Sequence, residues 1–154
     1  MDPSQILFWN VRGMNSAARR DAVARRDAVR AIVDSVKIDV ICLQETKMNS
    51  VSRQTILSML GTEFDNNFIF LPSAGASGGI VIAWRHHLGA VQASRVDSHS
   101  LSVQFCPNNG NAWWLTCVYG PQDNQEKIQF LQELRDVRGQ CTGPWQVAGD
   151  FNLI

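Results

Sequence analysis

The sequence predicts an α/β fold with mixed β-sheets. Short apolar runs, typical of buried strands, alternate along the chain with segments whose apolar residues recur at the period of a helix. One pair of strand-like runs is joined by Asn109-Gly110, a hairpin signal, so we expect antiparallel as well as parallel pairing. With 154 residues, 45% of them apolar, the chain is long enough for one packed domain or a large part of one.

Charge and cysteine content exclude several classes of protein. The 14 basic and 14 acidic residues balance, which argues against a strongly basic nucleic-acid wrapper or a polybasic membrane binder. An enzyme that contacts a few phosphates stays compatible with this balance. No apolar run approaches the ~20 residues of a membrane span, and the N-terminus does not resemble a signal peptide. The four cysteines include no Cys-x-x-Cys pair, so we expect an intracellular, reduced protein without a zinc site.

The first strand is predicted over residues 6–9, and the helix after its loop contains an immediate repeat. The sequence Ala-Arg-Arg-Asp-Ala-Val occurs at 18–23 and again at 24–29. An apolar stripe over residues 29–36, extended upstream, would place Arg25 and Arg26 on the buried face. Six residues rotate a helix by roughly 240°, so both copies cannot face the core. We interpret one copy as a duplication that lengthens the exposed helix start or bulges out.

The remaining elements follow from the same patterns. Helices are expected at 52–60, ended by Gly61, and at 123–139, where Asp123 and Glu126 resemble a capping box and Gly139 ends the helix. Further strands are expected at 39–45, 68–71, 80–84, 101–105, 113–119 and 145–148. The glycine-rich segment 75–79 leads into a strand rather than a helix, which excludes a nucleotide-binding glycine loop.

Polar residues follow three of the predicted buried strands. Asn10 follows the first strand, Glu45 ends the second, and Asp150 and Asn152 follow the last. An oxygen-rich set of one or two carboxylates with amides suits Mg²⁺, and the lack of thiolates and imidazoles there disfavours zinc or copper. Each residue alone would be an ordinary cap or turn former, since Asn and Asp are common in turns. Four of them after three apolar strands favour a site.

Five motifs in this order resemble the endonuclease/exonuclease/phosphatase superfamily: Trp9-Asn10-Val11-Arg12-Gly13-Met14-Asn15, Leu43-Gln44-Glu45-Thr46-Lys47, Ser77-Gly78-Gly79-Ile80, Val118-Tyr119-Gly120-Pro121 and Gly149-Asp150-Phe151-Asn152. The chain is most similar to the apurinic-type endonuclease of plant LINE-type (non-LTR) retrotransposons. The resemblance implies a four-layer α-β-β-α sandwich and Mg²⁺-dependent (or Mn²⁺-dependent) phosphodiester hydrolysis of DNA. It also implies DNA as the partner, without a membrane, and allows a nuclear location.

The resemblance assigns a role to each of five positions. Asn10 and Glu45 would hold the metal, Tyr119 would lie against the scissile phosphate, Asp150 would orient or deprotonate the attacking water, and Asn152 would hold phosphoryl oxygens. These roles are chemically reasonable, because phosphodiester cleavage needs charge neutralisation, fixed donors and a proton acceptor near the water.

The arginines near the N-terminus allow two interpretations. A solvated helix face is the interpretation we favour, and contact with DNA is the alternative. Arg12, beside Asn10, is the best candidate among them for binding a backbone phosphate.

The resemblance also predicts what is missing. Members of the family continue for about another half-domain that carries a Ser-Asp-His motif, and His86, His87 and His99 do not match it. We therefore expect residues 1–154 to form a single truncated domain, with impaired or lost activity and with self-association through exposed sheet surface. Two alternatives stay open: a non-catalytic remnant that binds metal or nucleic acid, and a phosphatase of the same superfamily.

Overall fold

A computed structural model of the chain describes residues 4–14, 20–74 and 77–153. Asn15, the first two residues of the hexapeptide repeat and Gly75-Ala76 of the glycine-rich segment lie outside this part. The described elements are β1 (Ile6–Asn10), α1 (Arg20–Ser35), β2 (Val40–Gln44), α2 (Arg53–Leu60), β3 (Phe68–Ala74), β4 (Ser77–Trp84), β5 (Ala90–Val96), β6 (Ser100–Cys106), β7 (Trp113–Tyr119), α3 (Asn124–Gln140) and β8 (Trp145–Asp150). None of the described helices is long and apolar enough to span a membrane.

The strands form two four-stranded sheets, with the orders β1-β2-β4-β3 and β5-β6-β7-β8. Each sheet contains one parallel pair, β1 with β2 and β7 with β8, and its other pairs are antiparallel. The predicted mixed sheets are thus confirmed. Both parallel pairs belong to βαβ units, β1-α1-β2 and β7-α3-β8. Because parallel strands end at the same edge of a sheet, each unit brings two strand ends together.

The layers follow from the alternation of side chains along the strands. In β2, Ile41 and Leu43 pack against helices α1 and α2, whereas Cys42 faces the second sheet. In β7, Leu115 and Cys117 belong to the same inter-sheet core, and Trp114 faces α3. The order of layers is therefore helices, sheet, sheet and helix, which confirms the predicted α-β-β-α sandwich.

Several local expectations need correction. β5 was not predicted, because its residues alternate between exposed and half-buried positions and its apolar signal is weak. Helix α3 continues through Gly139 to Gln140. Gly139 lacks the positive φ with which a glycine commonly ends a helix. Val36, expected on the buried stripe, is 46% exposed because α1 has already ended.

The predicted capping role of Asp123 is confirmed, whereas Ser52, predicted as the first residue of a helix, is instead the N-cap of α2. Asp123 accepts the backbone N–H of Gln125 at 2.7 Å, and Ser52 caps α2 through the N–H of Thr55. Gly61 ends α2, as expected, with its N–H bonded to the carbonyl of Leu57.

Candidate active site

The ends of four strands from the two sheets meet at one edge of the sandwich. Asn10 is the last residue of β1, Glu45 follows β2, and Tyr119 and Asp150 end β7 and β8. In register, Tyr119 lies opposite Asp150, and Asn10 lies opposite Gln44, the residue before Glu45. The fold thus gathers at one edge the residues that the sequence motifs singled out.

A hydrogen bond joins the two sheets at this edge. The Nδ2 of Asn10 donates to Oδ2 of Asp150 at 3.2 Å, although the two residues are 140 positions apart. The backbone N–H of Arg12 donates to Oδ1 of Asn10 at 3.1 Å, and the N–H of Asn152 donates to Oδ1 of Asp150 at 3.2 Å. In each sheet, a backbone N–H of the loop after the strand thus orients the polar side chain at the strand end, Asn10 in one sheet and Asp150 in the other.

Asn152 is fixed by its side chain as well. Its Nδ2 donates to the carbonyl oxygen of Gly120 at 2.7 Å. Gly120 in turn donates its N–H to the carbonyl of Asp150 at 2.7 Å. These two bonds tie the loop after β8 to the loop after β7, and they hold Asn152 beside Tyr119 and Asp150.

Tyr119 and Glu45 bring a second pair of polar groups from the two sheets close together. The phenol of Tyr119 lies near the carboxylate of Glu45 and the side chain of Gln122. Burial, followed by the negative charges of Glu45 and Asp150, raises the pKa of Tyr119 above its ordinary value. Tyr119 is therefore a neutral hydrogen-bond donor at neutral pH. The Nζ of Lys47 lies 3.9 Å from Oε1 of Glu45 and adds a positive charge beside that carboxylate.

Several residues of the site adopt a left-handed backbone conformation. Arg12, Glu45, Lys47 and Asn152 have φ values of 56°, 54°, 58° and 51°. Such values are uncommon outside glycine and cost free energy, especially for the long side chains of Arg, Glu and Lys. Their concentration in the loops after β1, β2 and β8 indicates that the surrounding contacts impose the conformation.

The segment after Glu45 is held against the glycine-rich lead into β4. The N–H groups of Thr46 and Lys47 donate to the carbonyls of Gly79 and Gly78 at 3.1 and 2.9 Å. A Cβ on Gly79 would overlap the hydroxyl of Thr46, so only glycine allows this approach. The expected role of this glycine segment as a strand lead-in is confirmed for Ser77–Trp84.

Two arginines of the second repeat copy support the loop after β1, a role that the sequence did not predict. Nη1 of Arg25 donates to the carbonyls of Arg12 and Gly13 at 2.6 and 3.3 Å, and Arg26 donates to the carbonyl of Met14 through Nε and Nη2. Both arginines are half-buried, so the solvated helix face that we favoured for the N-terminal arginines is wrong for these two. Their partners are backbone carbonyls, which a pattern of apolar residues does not reveal.

The oxygen donors at this edge fit a hard divalent cation. Glu45 and Asp150 supply carboxylates and Asn10 an amide, the ligand types that Mg²⁺ binds while it keeps several waters. No group of three or more His, Cys, Asp or Glu side chains suited to a metal occurs within residues 4–14, 20–74 and 77–153. A group of three or more such side chains is typical of zinc or calcium sites. A Mg²⁺ site needs only one or two carboxylates.

The three histidines lie in different surroundings. His86 and His87 are exposed in a short helical turn after β4, where His87 lies 2.8 Å from Asp39 near the start of β2, away from Glu45. His99 is half-buried, contacts the ring of Phe130 edge-on, and accepts the N–H of Tyr119 through its carbonyl. His86 and His87 are thus exposed to solvent, as is common for histidines in loops, whereas His99 is packed against α3.

A sequence model described as the Endonuclease/Exonuclease/phosphatase family matches residues 7–154. No curated protein is significantly similar to the sequence.

Solved structures share the fold. A D. rerio TDP2 complexed with single-strand DNA product aligns with a TM-score of 0.71 at 17% identity, over 98% of this chain and 61% of that one. A truncated Caenorhabditis elegans TDP2 aligns with a TM-score of 0.64 at 17% identity, over 97% and 62%. The AP endonuclease LMAP from Leishmania major aligns with a TM-score of 0.61 at 20% identity, over 96% and 54%. The chain thus spans a little over half of each of these proteins.

Proposed function

Because the chain belongs to the endonuclease/exonuclease/phosphatase family, we propose that its site hydrolyses a phosphodiester bond of DNA with Mg²⁺ or Mn²⁺ as cofactor. The observation that carries the proposal is the bond between Asn10 and Asp150, which joins the polar ends of both sheets. We further propose that the chain is related to the endonucleases of LINE-type retrotransposons, on the motifs around Asn10, Glu45 and Asp150.

Glu45 and Asn10 are the residues that would hold the cation. Glu45 offers a carboxylate whose neighbours are the Tyr119 hydroxyl and the Lys47 ammonium group. When bound, the cation would supply positive charge against the charge that develops on the phosphate. The left-handed backbone at Glu45 is consistent with a position kept for function rather than for stability.

Asp150 is suited to accept a proton from the attacking water. Its carboxylate takes one hydrogen bond on each oxygen, from Asn10 and from the backbone of Asn152. A carboxylate has about four lone-pair positions, so both oxygens keep capacity for a water molecule. The two bonds hold the carboxylate in one orientation, as a general base requires.

Asn152 and Tyr119 are donors for the phosphate. The amide of Asn152 uses one N–H on Gly120 and has a second for a phosphoryl oxygen. The raised pKa of Tyr119 keeps its hydroxyl protonated, so it can donate to an anionic oxygen. Arg12 is exposed and lies two residues after Asn10. It would bind a neighbouring backbone phosphate.

The comparison structures support DNA as the substrate and extend beyond the matched region. One of them, D. rerio TDP2, is complexed with single-strand DNA product.

The sequence contains no Ser-Asp-His motif, and His99 contacts Phe130 rather than Glu45 or Asp150. We propose that this chain cleaves DNA slowly, and that edge strands β1 and β8 give it a tendency to self-associate.

Nicking of supercoiled plasmid tests the proposal, with Mg²⁺ and with EDTA. We expect metal-dependent nicking that Glu45→Gln lowers about 100-fold or more, since the variant lacks the carboxylate proposed to hold the cation that neutralises the phosphate. Asp136→Asn, an exposed carboxylate on α3, is the matched control and should nick like the unaltered chain. Equal nicking by both variants would refute the site. DNA binding without any cleavage would favour a non-catalytic remnant, and cleavage of phosphomonoesters alone would favour a phosphatase.

A further inference from the structure

A polar cavity lies beside the candidate active site. It has a volume of about 330 Å³ and lies between α1, the loop after β2, the start of α2 and β3. Its lining includes Arg26, Lys47, Ser50, Thr55 and Ser73. We call it the basic pocket. None of the roles proposed above uses it.

The charges of the basic pocket favour an anion. Arg26 and Lys47 are cationic, and no carboxylate is among the described residues that line the cavity. Arg26 uses Nε and Nη2 on the carbonyl of Met14, and among the described residues its Nη1 has no hydrogen-bond partner. A guanidinium group with donors left over is a favourable partner for phosphate.

A buried hydroxyl supplies a second, independent observation. Oγ of Ser73 is buried and is the one buried side-chain polar atom without a hydrogen-bond partner in the described part of the chain. A buried hydroxyl without a partner is unfavourable, and native structures usually satisfy such atoms. The backbone N–H of Ser73 donates to the carbonyl of Met48 at 2.9 Å, and both residues line the basic pocket.

Lys47 connects the basic pocket to the site. Its Nζ lies 3.9 Å from Oε1 of Glu45, and its side chain also lines the pocket. An anion in the basic pocket would therefore lie close to the carboxylate proposed to hold the metal. A ligand with several linked phosphates could occupy both places at once.

We propose that the basic pocket binds a non-scissile phosphate of the DNA strand that is cleaved at the neighbouring site. Arg26 and Lys47 provide the charge, and Ser73 donates its otherwise unsatisfied hydroxyl. The identity of the ligand as DNA rests on the proposed function. Binding of an anion by the basic pocket does not depend on that function. Such a contact positions the strand without reading its bases.

Titration with inorganic phosphate tests the pocket without DNA or catalysis. In nuclear magnetic resonance spectra, we expect saturable shifts of the amides of Lys47, Met48 and Ser73 in phosphate, beyond those in chloride at equal ionic strength. Ser73→Ala and Arg26→Gln should weaken phosphate binding at least fivefold. Arg135→Gln, an exposed arginine on α3, should leave it unchanged. Ser73→Ala removes a single atom, so its effect does not depend on the loop that Arg26 supports. Absence of saturable shifts, or equal binding by all variants, would overturn the proposal.

A second titration identifies the phosphate. Duplex and single-stranded oligonucleotides carry one neutral methylphosphonate at successive positions, and their affinity is measured in EDTA. At one non-scissile position the substitution should weaken binding by the unaltered chain but add nothing to Ser73→Ala or Arg26→Gln. The slope of log affinity against log salt should also fall by about 1 in Arg26→Gln. Additive effects at every position would overturn the assignment to DNA. Phosphate binding without DNA binding would contradict the proposed nuclease function and leave the pocket a site for free phosphate.

Discussion

The two βαβ units bring polar side chains to the same edge by different means. In the first unit, β1-α1-β2, the loops after the strands contain residues with positive φ, Arg12, Glu45 and Lys47, and long arginine side chains hold the loop after β1. In the second unit, β7-α3-β8, glycines allow the backbones to approach so closely that no side chain would fit. The loop after β1 therefore depends on hydrogen bonds that can be replaced one at a time, whereas the pairing of β7 with β8 depends on space.

This difference predicts unequal sensitivity to mutation. A missing hydrogen bond in the first unit leaves the backbone path intact and costs the free energy of one or two bonds. An added carbon atom in the second unit forces two strands apart, because packed interiors have little room for it. The three predictions below test this contrast.

The largest effect is expected at Gly149. Its φ is 135°, and a Cβ there would overlap the backbone of Val118 in the neighbouring strand. Gly149→Ala should lower the free energy of unfolding by about 3 kcal/mol, from overpacking together with backbone strain. Unfolding in urea measures the difference. Asp150 is the next residue, so the same variant should also lose nicking activity.

Gly139 offers the matched control. It lies inside α3 and has no neighbouring atom within 4 Å of an added Cβ. Gly139→Ala should therefore be neutral or stabilising by up to about 1 kcal/mol, because alanine favours the helix. Similar losses in both variants would contradict the role of close packing between β7 and β8.

The same contrast explains what the sequence could predict. The strands other than β5, the N-cap Asp123 and the ends of β1, β2 and β8 follow from local patterns and short motifs, and the structure agrees with them. The support that Arg25 gives to Arg12 and Gly13 was not predictable, because a side chain bonded to distant backbone carbonyls leaves no periodic signal. β5 was missed because one of its faces is open to water and its pattern is weak.

A smaller effect is expected at Arg25. Arg25→Met keeps the aliphatic part of the side chain and removes the donors to the carbonyls of Arg12 and Gly13. We expect a loss of about 1–2 kcal/mol in the free energy of unfolding, since the bonds come from a charged group that is half-buried. The amides of Gly13 and Met14, which bond to the carbonyls of Glu45 and Thr46, should exchange with solvent faster.

Arg135→Met is the comparison for Arg25→Met. Arg135 is an exposed residue on α3, so its replacement should change stability by no more than about 0.5 kcal/mol. If the amides of Gly13 and Met14 exchanged equally fast in both variants, Arg25 would have no role in holding the loop after β1.

The smallest effect concerns Tyr119, where the two units meet. Tyr119 is the only tyrosine of the sequence, so the ultraviolet absorbance of its phenolate reports on this residue alone. Burial and the carboxylates of Glu45 and Asp150 raise its pKa in the folded chain, and unfolding in urea should lower the titration midpoint toward the ordinary value of about 10. The folded state holds this proton more tightly. Its contribution to stability is therefore complete below the unfolded pKa and is lost as the pH rises through the folded one.

Glu45→Gln and Tyr119→Phe sharpen this last test. Glu45→Gln should lower the folded midpoint of Tyr119, because the amide carries no negative charge, while Asp136→Asn on α3 should leave it where it is. Tyr119→Phe removes the titration, so its stability should fall less between neutral and alkaline pH than that of the unaltered chain. An unchanged midpoint in Glu45→Gln would mean that the carboxylate from the first sheet does not reach the phenol of the second. The bond between Asn10 and Asp150 would then be the contact that joins the proposed site residues of the two units.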